Sequence, residues 1–376
     1  VAIGKGSLGT NTTGGDNVAV GTNSLLANTT ASNNTAVGND ALASNTTGHS
    51  NVAVGTNALD ANTTANNNTA IGLQSLTANT TGAQNSGLGT YTLGTNSTGD
   101  NNTAVGYGAL FANTTADNNT ACGKDALISN TTGTQNNAIG ALALDACTTG
   151  ERNQAMGYNA LGALTSGIRN VAIGNDSMVT LTTGSNNVAI GEQTLYYSTA
   201  NGCTAVGSKS LTSNTTGGEN TGCGVSTGLN LTTGSQNTCI GSEAGHDLTT
   251  GSNNLLLGKA AGRSGSPSGT VNDESNIVCL GNNSISSLFC ADTSISSSDS
   301  RDKTDISNFN IGLDWINALR PVTYRWDRRT WYGTDAEPYG TPDGSKKRAK
   351  LHIGFLAQEA LAVEQANGYG SSNDNS

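Results

Sequence analysis

The stretch from Ser298 to Lys303 holds residues whose types and spacing could perform chemistry. It reads Ser-Asp-Ser-Arg-Asp-Lys, so Ser298 and Lys303 stand five positions apart. A lysine amine can take the proton of a serine hydroxyl only where burial or neighbouring charge lowers the pKa of the lysine toward neutrality. On spacing alone, the alternative is a serine-rich linker followed by a charged, solvated segment in which both residues serve solubility.

The cysteines and histidines offer no second reactive cluster. The seven cysteines include no pair at CxxC spacing, and the three histidines are scattered along the chain, so we expect neither a metal site nor a cofactor. Cys122 and Cys223 fall in an apolar row of the repeat described next, and Cys239 in its alanine position. We expect all three to be small buried hydrophobic residues.

Most of the chain is built from a repeated unit of 17 residues. The unit reads Gly-x-x-x-Leu-x-x-Asn-Thr-Thr-(Gly/Ala)-x-x-Asn-x-Ala-(Val/Ile), and one unit, which ends at Gly207, has 16 residues. Such a strict period predicts a solenoid of stacked coils. The marker glycines are Gly4, Gly21, Gly38, Gly55, Gly72, Gly89, Gly106, Gly123, Gly140, Gly157, Gly174, Gly191, Gly207, Gly224, Gly241 and Gly258.

Three positions of the unit predict how each coil folds. The aliphatic residue before each glycine and the leucine four residues after it indicate two inward rows, and hence two short strands per coil. Alanines such as Ala19 and Ala36 alternate with the first row, so we expect them on the opposite face, packed against a neighbouring chain. Asparagines such as Asn17 and Asn34 are expected to form a ladder between coils.

These observations predict a mainly β fold, a parallel β-solenoid or β-roll of 17-residue coils. Roughly 16 coils at about 4.8 Å would give a shaft on the order of 75 Å long. Each coil buries only two or three aliphatic side chains, so association of several chains would help the thin core. The repeated Asn-Thr-Thr also matches the acceptor pattern for N-glycosylation, with a role in turns as the alternative.

Several repeats carry a specific resemblance. Asn-Val-Ala-Val-Gly at residues 17–21 and 51–55, and Asn-Val-Ala-Ile-Gly at residues 170–174 and 187–191, resemble the head repeats of YadA-type trimeric adhesins. Head repeats of that family are commonly a little shorter than 17 residues. The resemblance implies a left-handed parallel β-roll with three chains side by side.

The composition changes after the repeats. We expect a shaft over residues 1–258, a neck or linker with a last β segment over 259–297, and a small α+β domain over 298–376. All three tryptophans and 10 of the 17 basic residues lie beyond residue 300. In this domain the patterns predict a helix at 313–319, strands at 322–326 and 351–355, and a helix at about 356–365. The basic run at 346–348 is expected in a solvated loop.

Three blocks of this last domain resemble the C-terminal intramolecular chaperone of phage tailspikes and tail fibres, best known from endosialidases. They are Ser-Asp-Ser-Arg-Asp-Lys-Thr-Asp-Ile at 298–306, Gly-Leu-Asp-Trp-Ile-Asn-Ala-Leu-Arg-Pro-Val-Thr-Tyr at 312–324, and His-Ile-Gly-Phe-Leu-Ala-Gln-Glu at 352–359. The blocks follow the order that they have in the family. Family members usually continue into a further long helix, so a shortened chaperone is expected.

The resemblance implies a trimerisation chaperone that cleaves itself from the shaft. It assigns Ser298 as the nucleophile and Lys303 as its base, with cleavage between Ser298 and Asp299 and release of residues 299–376. Arg301 would support the geometry. The catalytic activity implied is therefore a single-turnover serine endopeptidase, and no external substrate is expected.

We expect a homotrimeric virion fibre, a tail fibre or spike, that attaches to a host-cell receptor or glycan. Any virion-attachment region is expected upstream of Val1. A cell-surface trimeric adhesin is the alternative, and it would require a coiled coil and a membrane anchor after the shaft. Two lesser alternatives are an ice-binding solenoid, based on the threonine columns, and a glycan-hydrolysing spike, whose paired carboxylates would have to lie upstream.

The net charge of −10 argues against nucleic acid as a partner, and no membrane span is expected.

Overall fold

A computed structural model describes residues 1–287, 317–325, 341–347, 349, 351–354 and 356–366. The chain divides into two compact units, Val1–Phe289 and Cys290–Ser376. The first unit contains one continuous sheet of 17 strands, each parallel to the next strand along the chain. The predicted mainly β parallel solenoid is therefore confirmed.

Each coil contributes one short strand at the same phase of the repeat. Strand pairing joins equivalent residues of adjacent coils, for example Ala19 with Ala36. The strands are β1 (Ala2–Ile3), β2 (Val18–Val20), β3 (Thr35–Val37), β4 (Val52–Val54), β5 (Thr69–Ile71), β6 (Ser86–Leu88), β7 (Thr103–Val105), β8 (Thr120–Cys122), β9 (Asn137–Ile139), β10 (Gln154–Met156), β11 (Val171–Ile173), β12 (Val188–Ile190), β13 (Thr204–Val206), β14 (Thr221–Cys223), β15 (Thr238–Ile240), β16 (Leu255–Leu257) and β17 (Val278–Leu280).

The solenoid sheet continues beyond the last regular repeat. Strand β17 pairs with β16 in parallel, with Leu255 opposite Val278, so this last coil is 23 residues long instead of 17. The extra residues form a loop in which Val271 is buried against the end of the core. The apolar run at 277–281 thus extends the sheet by one more strand.

The prediction of two strands per coil is wrong for residues 1–287. The leucine row lies in turns, where Leu25 has φ of 51° and Asn23, two residues earlier, has φ of 58°. These left-handed angles bend the chain within a few residues, and asparagine tolerates them better than most residues. The turns are still bonded between coils, since the Leu25 N–H donates to the Ala41 carbonyl at 3.0 Å.

The predicted inside and outside of the strands are reversed. Ala19 and Ala36 are fully buried, whereas Ile139 and Met156, from the row expected inside, are 43% and 48% exposed. The inward space is small: at Gly87, which replaces the alanine in β6, a methyl group would lie 2.5 Å from the Ser75 Oγ. Contacts within the same chain therefore explain why the inward residue is alanine or glycine in strands β2 to β14, and the large aliphatic row points outward.

The same reversal corrects the expectation for two cysteines. Cys122 and Cys223 occupy the aliphatic row and are exposed, while Cys239, at the alanine position, is buried as predicted. Burial raises the pKa of the Cys239 thiol to about 12 and that of Cys147 to about 11, because the charged thiolate is poorly solvated there. These two buried thiols remain protonated at neutral pH.

The marker glycines set how closely the coils approach one another. Gly21 has φ of 132°, and a Cβ at this position would collide with the carbonyl oxygen of Gly38 in the next coil. The same collision recurs along the column, for example between Gly55 and Gly72. Only glycine permits this conformation together with this backbone approach.

The asparagines four residues before the marker glycines form the predicted ladder, which Cys203 interrupts at the coil of Gly207. The Asn34 N–H donates to Asn17 Oδ1 at 2.9 Å, and the Asn51 N–H donates to Asn34 Oδ1 at 2.9 Å. The Asn34 Nδ2 donates to the Gly48 carbonyl at 2.9 Å. Asn34 and Asn51 are completely buried, so the ladder provides partners for polar groups that would otherwise be unsatisfied in the core.

The asparagines of the Asn-Thr-Thr segments form a second buried ladder. Asn45 Nδ2 donates to Asn28 Oδ1 at 3.2 Å and to the Gly48 carbonyl at 2.8 Å. In the folded coils these amides are therefore structural groups, buried and bonded. The regular run ends at Asn130, whose buried Oδ1 has no partner among the described residues, because Cys147 occupies the next position.

We expect Asn51→Ala to reduce the free energy of unfolding by about 1–3 kcal/mol. Asn51 Oδ1 accepts the Asn68 N–H at 2.9 Å, and the alanine would leave that N–H buried without its acceptor. Asn39→Ala is the control, because Asn39 is exposed and its amide makes only a 3.4 Å contact. Guanidinium unfolding followed by circular dichroism measures both, and equal losses would contradict the role of the ladder.

Candidate functional sites

The outward side of the solenoid sheet is a long, uncharged surface. We call it the outer sheet face and define it as the first and third residues of strands β2 to β17. None of these positions carries an acidic or basic side chain, although the chain has 17 basic and 27 acidic residues. The large aliphatic residues exposed on it are Ile71, Leu88, Ile139, Met156, Ile173, Ile190, Ile240, Val278 and Leu280.

Such a face is unusual for a parallel sheet in water. Parallel sheets are normally covered on both sides, and contiguous exposed apolar patches commonly mark interaction surfaces. One side of this sheet is covered by the leucine and alanine core of its own coils. On the other side a groove of about 330 Å³ lies among Ile139, Met156 and Ile173. The outer sheet face has the chemistry of an interface between proteins.

The C-terminal unit contains a short antiparallel strand pair followed by a helix. Strand β18 (Val322–Tyr324) pairs with β19 (His352–Gly354), with Thr323 opposite Ile353. Helix α1 (Ala357–Ala366) begins three residues after β19. Both predicted strands and the predicted helix after them are present in shorter or shifted form. The helix predicted at 313–319 lies mostly outside the described residues.

An ion pair connects the start of β18 to helix α1. Arg320 donates from Nε to Glu359 Oε2 at 3.2 Å and from Nη2 to Oε1 at 2.5 Å, a bidentate geometry that suits guanidinium and carboxylate. The hydrogen bond and the positive charge of Arg320 hold the pKa of Glu359 below its ordinary value. Lys346 and Lys347, from the predicted solvated loop, are exposed.

The residues predicted to cut the chain lie outside the described residues. This applies to the nucleophile Ser298, its base Lys303, the residue after the cleaved bond, Asp299, and the supporting residue Arg301. Their roles stay predictions. Within the described ranges, no group of three or more histidine, cysteine, aspartate and glutamate side chains could hold a metal ion. The helices of those ranges include none with the length and apolarity needed to span a membrane.

Comparison with known families supports a chaperone domain at the C-terminus. The model of the family described as chaperone of endosialidase matches residues 298–369. The match starts at Ser298 and covers all three sequence blocks, together with the strand pair and the whole of helix α1. A comparison with curated proteins finds no match.

Two surface features were missed by sequence reasoning. The outer sheet face was assigned to the interior, although the lack of charge at both of its positions in every strand was a readable signal. The second feature is a contact of Tyr91 with Tyr107 and Phe111, whose ring centroids lie 5.8 and 6.4 Å from that of Tyr91. Alignment of the 17-residue units places Tyr91 in the turn after β6, and Tyr107 and Phe111 in the turn after β7. The sequence repeat therefore indicates that the three residues lie in adjacent turns.

We expect Arg320→Ala to raise the pKa of Glu359 toward the value of about 4.3 found in unfolded chains. Because the pKa is lowered in the folded state, the pair stabilises the fold above the unfolded pKa, and this contribution disappears as the pH falls through the folded pKa. NMR titration of the Glu359 carboxyl measures the change. Arg325→Ala is the control, since Arg325 Nε donates to the Ala349 carbonyl; an equal shift in both variants would contradict the assignment.

Proposed function

We propose that this chain forms the shaft and the assembly domain of a homotrimeric virion fibre, of the tail-fibre or tailspike kind. Three solenoids associate through their outer sheet faces, and residues 298–376 direct this association before release by self-cleavage. The observation that carries the proposal is the uncharged outer sheet face with its exposed aliphatic column, on a chain whose residues 298–369 match the chaperone of endosialidase family. The fibre would serve attachment to a host cell.

Identical copies of the chain are the partners that fit the outer sheet face best. One apolar side chain, aliphatic, methionine or cysteine, recurs at the third position of each of its 16 strands, which at about 4.8 Å per strand extends about 70 Å. A second solenoid of the same sequence offers the same spacing over the same length. A compact partner would cover only part of this face and leave the remaining apolar column in water.

We propose three chains per fibre because the chaperone family implies trimeric assembly and because the repeats resemble the heads of trimeric adhesins. Residues 1–287 present one outer sheet face with an apolar column, so closed association of three chains around one threefold axis would remove all three columns from water. Parallel, in-register alignment is required for the faces to match. An assembly domain that follows the shaft in the sequence would supply that alignment before the repeats associate.

Self-cleavage would take place only after the trimer has assembled. The Ser298 hydroxyl gives its proton to the Lys303 amine, and its oxygen bonds to the carbonyl carbon of the Ser298–Asp299 peptide bond. The C–N bond breaks as the amine of Asp299 takes the proton from Lys303 and leaves, and water then hydrolyses the resulting serine ester. Overall, one water molecule is consumed and the Ser298–Asp299 peptide bond becomes a carboxylate and an amine. Lys303 can act as base only when its pKa is lowered, and burial on trimer formation is the proposed cause.

We expect Met156→Glu to prevent or strongly weaken trimer formation. The substitution puts one carboxylate per chain into the proposed interface, at a cost on the order of several kcal/mol for each buried charge. Leu73→Glu is the matched control, because Leu73 is 43% exposed but lies beyond the end of β5 and off the outer sheet face. Light scattering after size-exclusion chromatography measures the mass.

The alkylation rate of exposed cysteines tests the proposed interface separately from any folding defect of the Met156→Glu variant. Cys122 and Cys223 are exposed in the single chain and lie on the outer sheet face. In the native wild-type trimer both should resist alkylation, as is also expected of the buried Cys239, and both should react rapidly in a monomeric Met156→Glu variant that keeps its β circular dichroism. Rapid labelling in the intact wild-type assembly would refute the proposed interface.

We expect the wild-type chain to yield two fragments, residues 1–298 and 299–376, while Ser298→Ala and Lys303→Ala remain full length. Loss of either member of a nucleophile and base pair should slow cleavage at least about 1,000-fold. Ser300→Ala, two positions from the proposed nucleophile, is the control and should cleave normally. Denaturing electrophoresis with mass spectrometry follows the products. A wild-type trimer that stays intact would contradict self-cleavage while leaving the interface proposal standing.

A further inference from the structure

Three aromatic side chains meet at one place on the solenoid surface. Residues 1–287 contain six aromatic residues in all, and three of them, Tyr91, Tyr107 and Phe111, pack together. The ring of Tyr91 is nearly perpendicular to those of Tyr107 and Phe111, with interplanar angles of 85° and 86°. Despite these contacts Tyr107 is 52% exposed and Phe111 39%, so the cluster presents aromatic surface to a ligand.

These rings border a hollow of about 280 Å³, whose remaining walls are Gly108 and Ile128. Glycines provide the space. A Cβ at Gly108 would lie 3.4 Å from Ile128 Cδ1 and 2.6 Å from Asp125 Oδ1, and one at Gly94 would lie 2.7 Å from the Phe111 ring. The hollow has the volume for one small ring and no room for an extended chain, which restricts the class of ligand.

Charged and hydroxyl groups stand beside the aromatic surface. Lys124 Nζ lies 3.0 Å from Asp125 Oδ2, and the Asp125 N–H is bonded to the Tyr107 carbonyl at 2.8 Å. The hydrogen bond and charge of Asp125, with smaller contributions from Tyr107 and Tyr158, raise the pKa of Lys124. The Lys124 ammonium and the Asp125 carboxylate thus provide a hydrogen-bond donor and acceptors beside the apolar walls of the hollow.

We propose that this hollow is a carbohydrate-binding site that takes one pyranose ring of a glycan. A pyranose has an apolar C–H face, which can lie on an aromatic ring, and a periphery of hydroxyls, which can bond to Lys124 and Asp125. A quaternary ammonium would fit the rings, but the Lys124 ammonium opposes it and Asp125 is already paired. Pockets with apolar, aromatic walls and a few polar groups are typical of small-molecule sites.

The coils hold the rings in place before any ligand arrives. The Tyr91 N–H donates to the Leu73 carbonyl at 3.0 Å, the Gly108 N–H to Thr90 at 3.1 Å, and the Phe111 N–H to Gly108 at 3.1 Å. Binding to such a rigid surface costs little ordering of the protein. All three aromatic residues follow the ends of β6 and β7 and lie off the outer sheet face. This proposal therefore does not depend on the trimer or on self-cleavage.

The test is saturation-transfer difference NMR on the full chain with cellobiose, lactose, chitobiose and a sialylated lactose as probes. We expect at least one sugar to receive saturation through its ring C–H protons. Tyr107→Ala and Phe111→Ala should each reduce its affinity at least 10-fold. Tyr197→Ala is the matched control, because Tyr197 is 53% exposed and contacts a single ring, Tyr196, at 4.7 Å.

Three results would overturn the proposal. One is the absence of saturation transfer to every sugar of the panel, and another is an equal loss of binding in Tyr197→Ala. The third is a change of oligomeric mass in Tyr107→Ala and Phe111→Ala, which would assign the rings to contacts between chains. Circular dichroism of each variant verifies that the β-solenoid is retained, so loss of binding can be attributed to the hollow.

Discussion

The close backbone contact between successive coils is the constraint on which the rest of the solenoid depends. At each marker glycine, such as Gly21, the chain passes so near to the next coil that a side chain would collide with the carbonyl of Gly38. This approach fixes the spacing at which strand residues pair and at which Asn34 can bond to Asn17. Both ladders fail if that spacing increases, because hydrogen bonds weaken steeply with distance and angle.

The same repetition that makes the stack regular creates a problem for assembly. Within one chain, covalent connection and the asparagine ladders align each coil with its neighbours. Between chains, outer sheet faces with nearly identical repeats would match almost as well when shifted by one coil, so their contacts carry little register information. In the proposed trimer, a domain that holds three chains at a common starting point would resolve this, which is consistent with the chaperone match at residues 298–369.

The predictions that succeeded rest on local signals. The period of the marker glycines indicates a solenoid whatever its cross-section, and Asn17 and its equivalents bond between coils because identical residues of stacked coils are necessarily close. The strands at 322–324 and 352–354 follow from alternating apolar residues. The extra strand per coil failed because the leucine row suggested extended structure, whereas Leu25 lies in a left-handed turn. Positive φ at leucine has no clear signature in sequence.

By itself the sequence determined the period, the parallel stacking, the ladder and the sequence blocks of the chaperone. Which side of the strand faces the core was decided only by the tertiary structure. Ala19 and Val20 alternate on opposite faces, and both are apolar, so hydrophobicity alone favours burial of the larger residue. The available volume decides otherwise: the small residues and leucines of the turns fill the coils so closely that strands β2 to β14 carry only alanine or glycine at the inward position. Shape complementarity inside the coil, which no one-dimensional pattern records, places the aliphatic row outside.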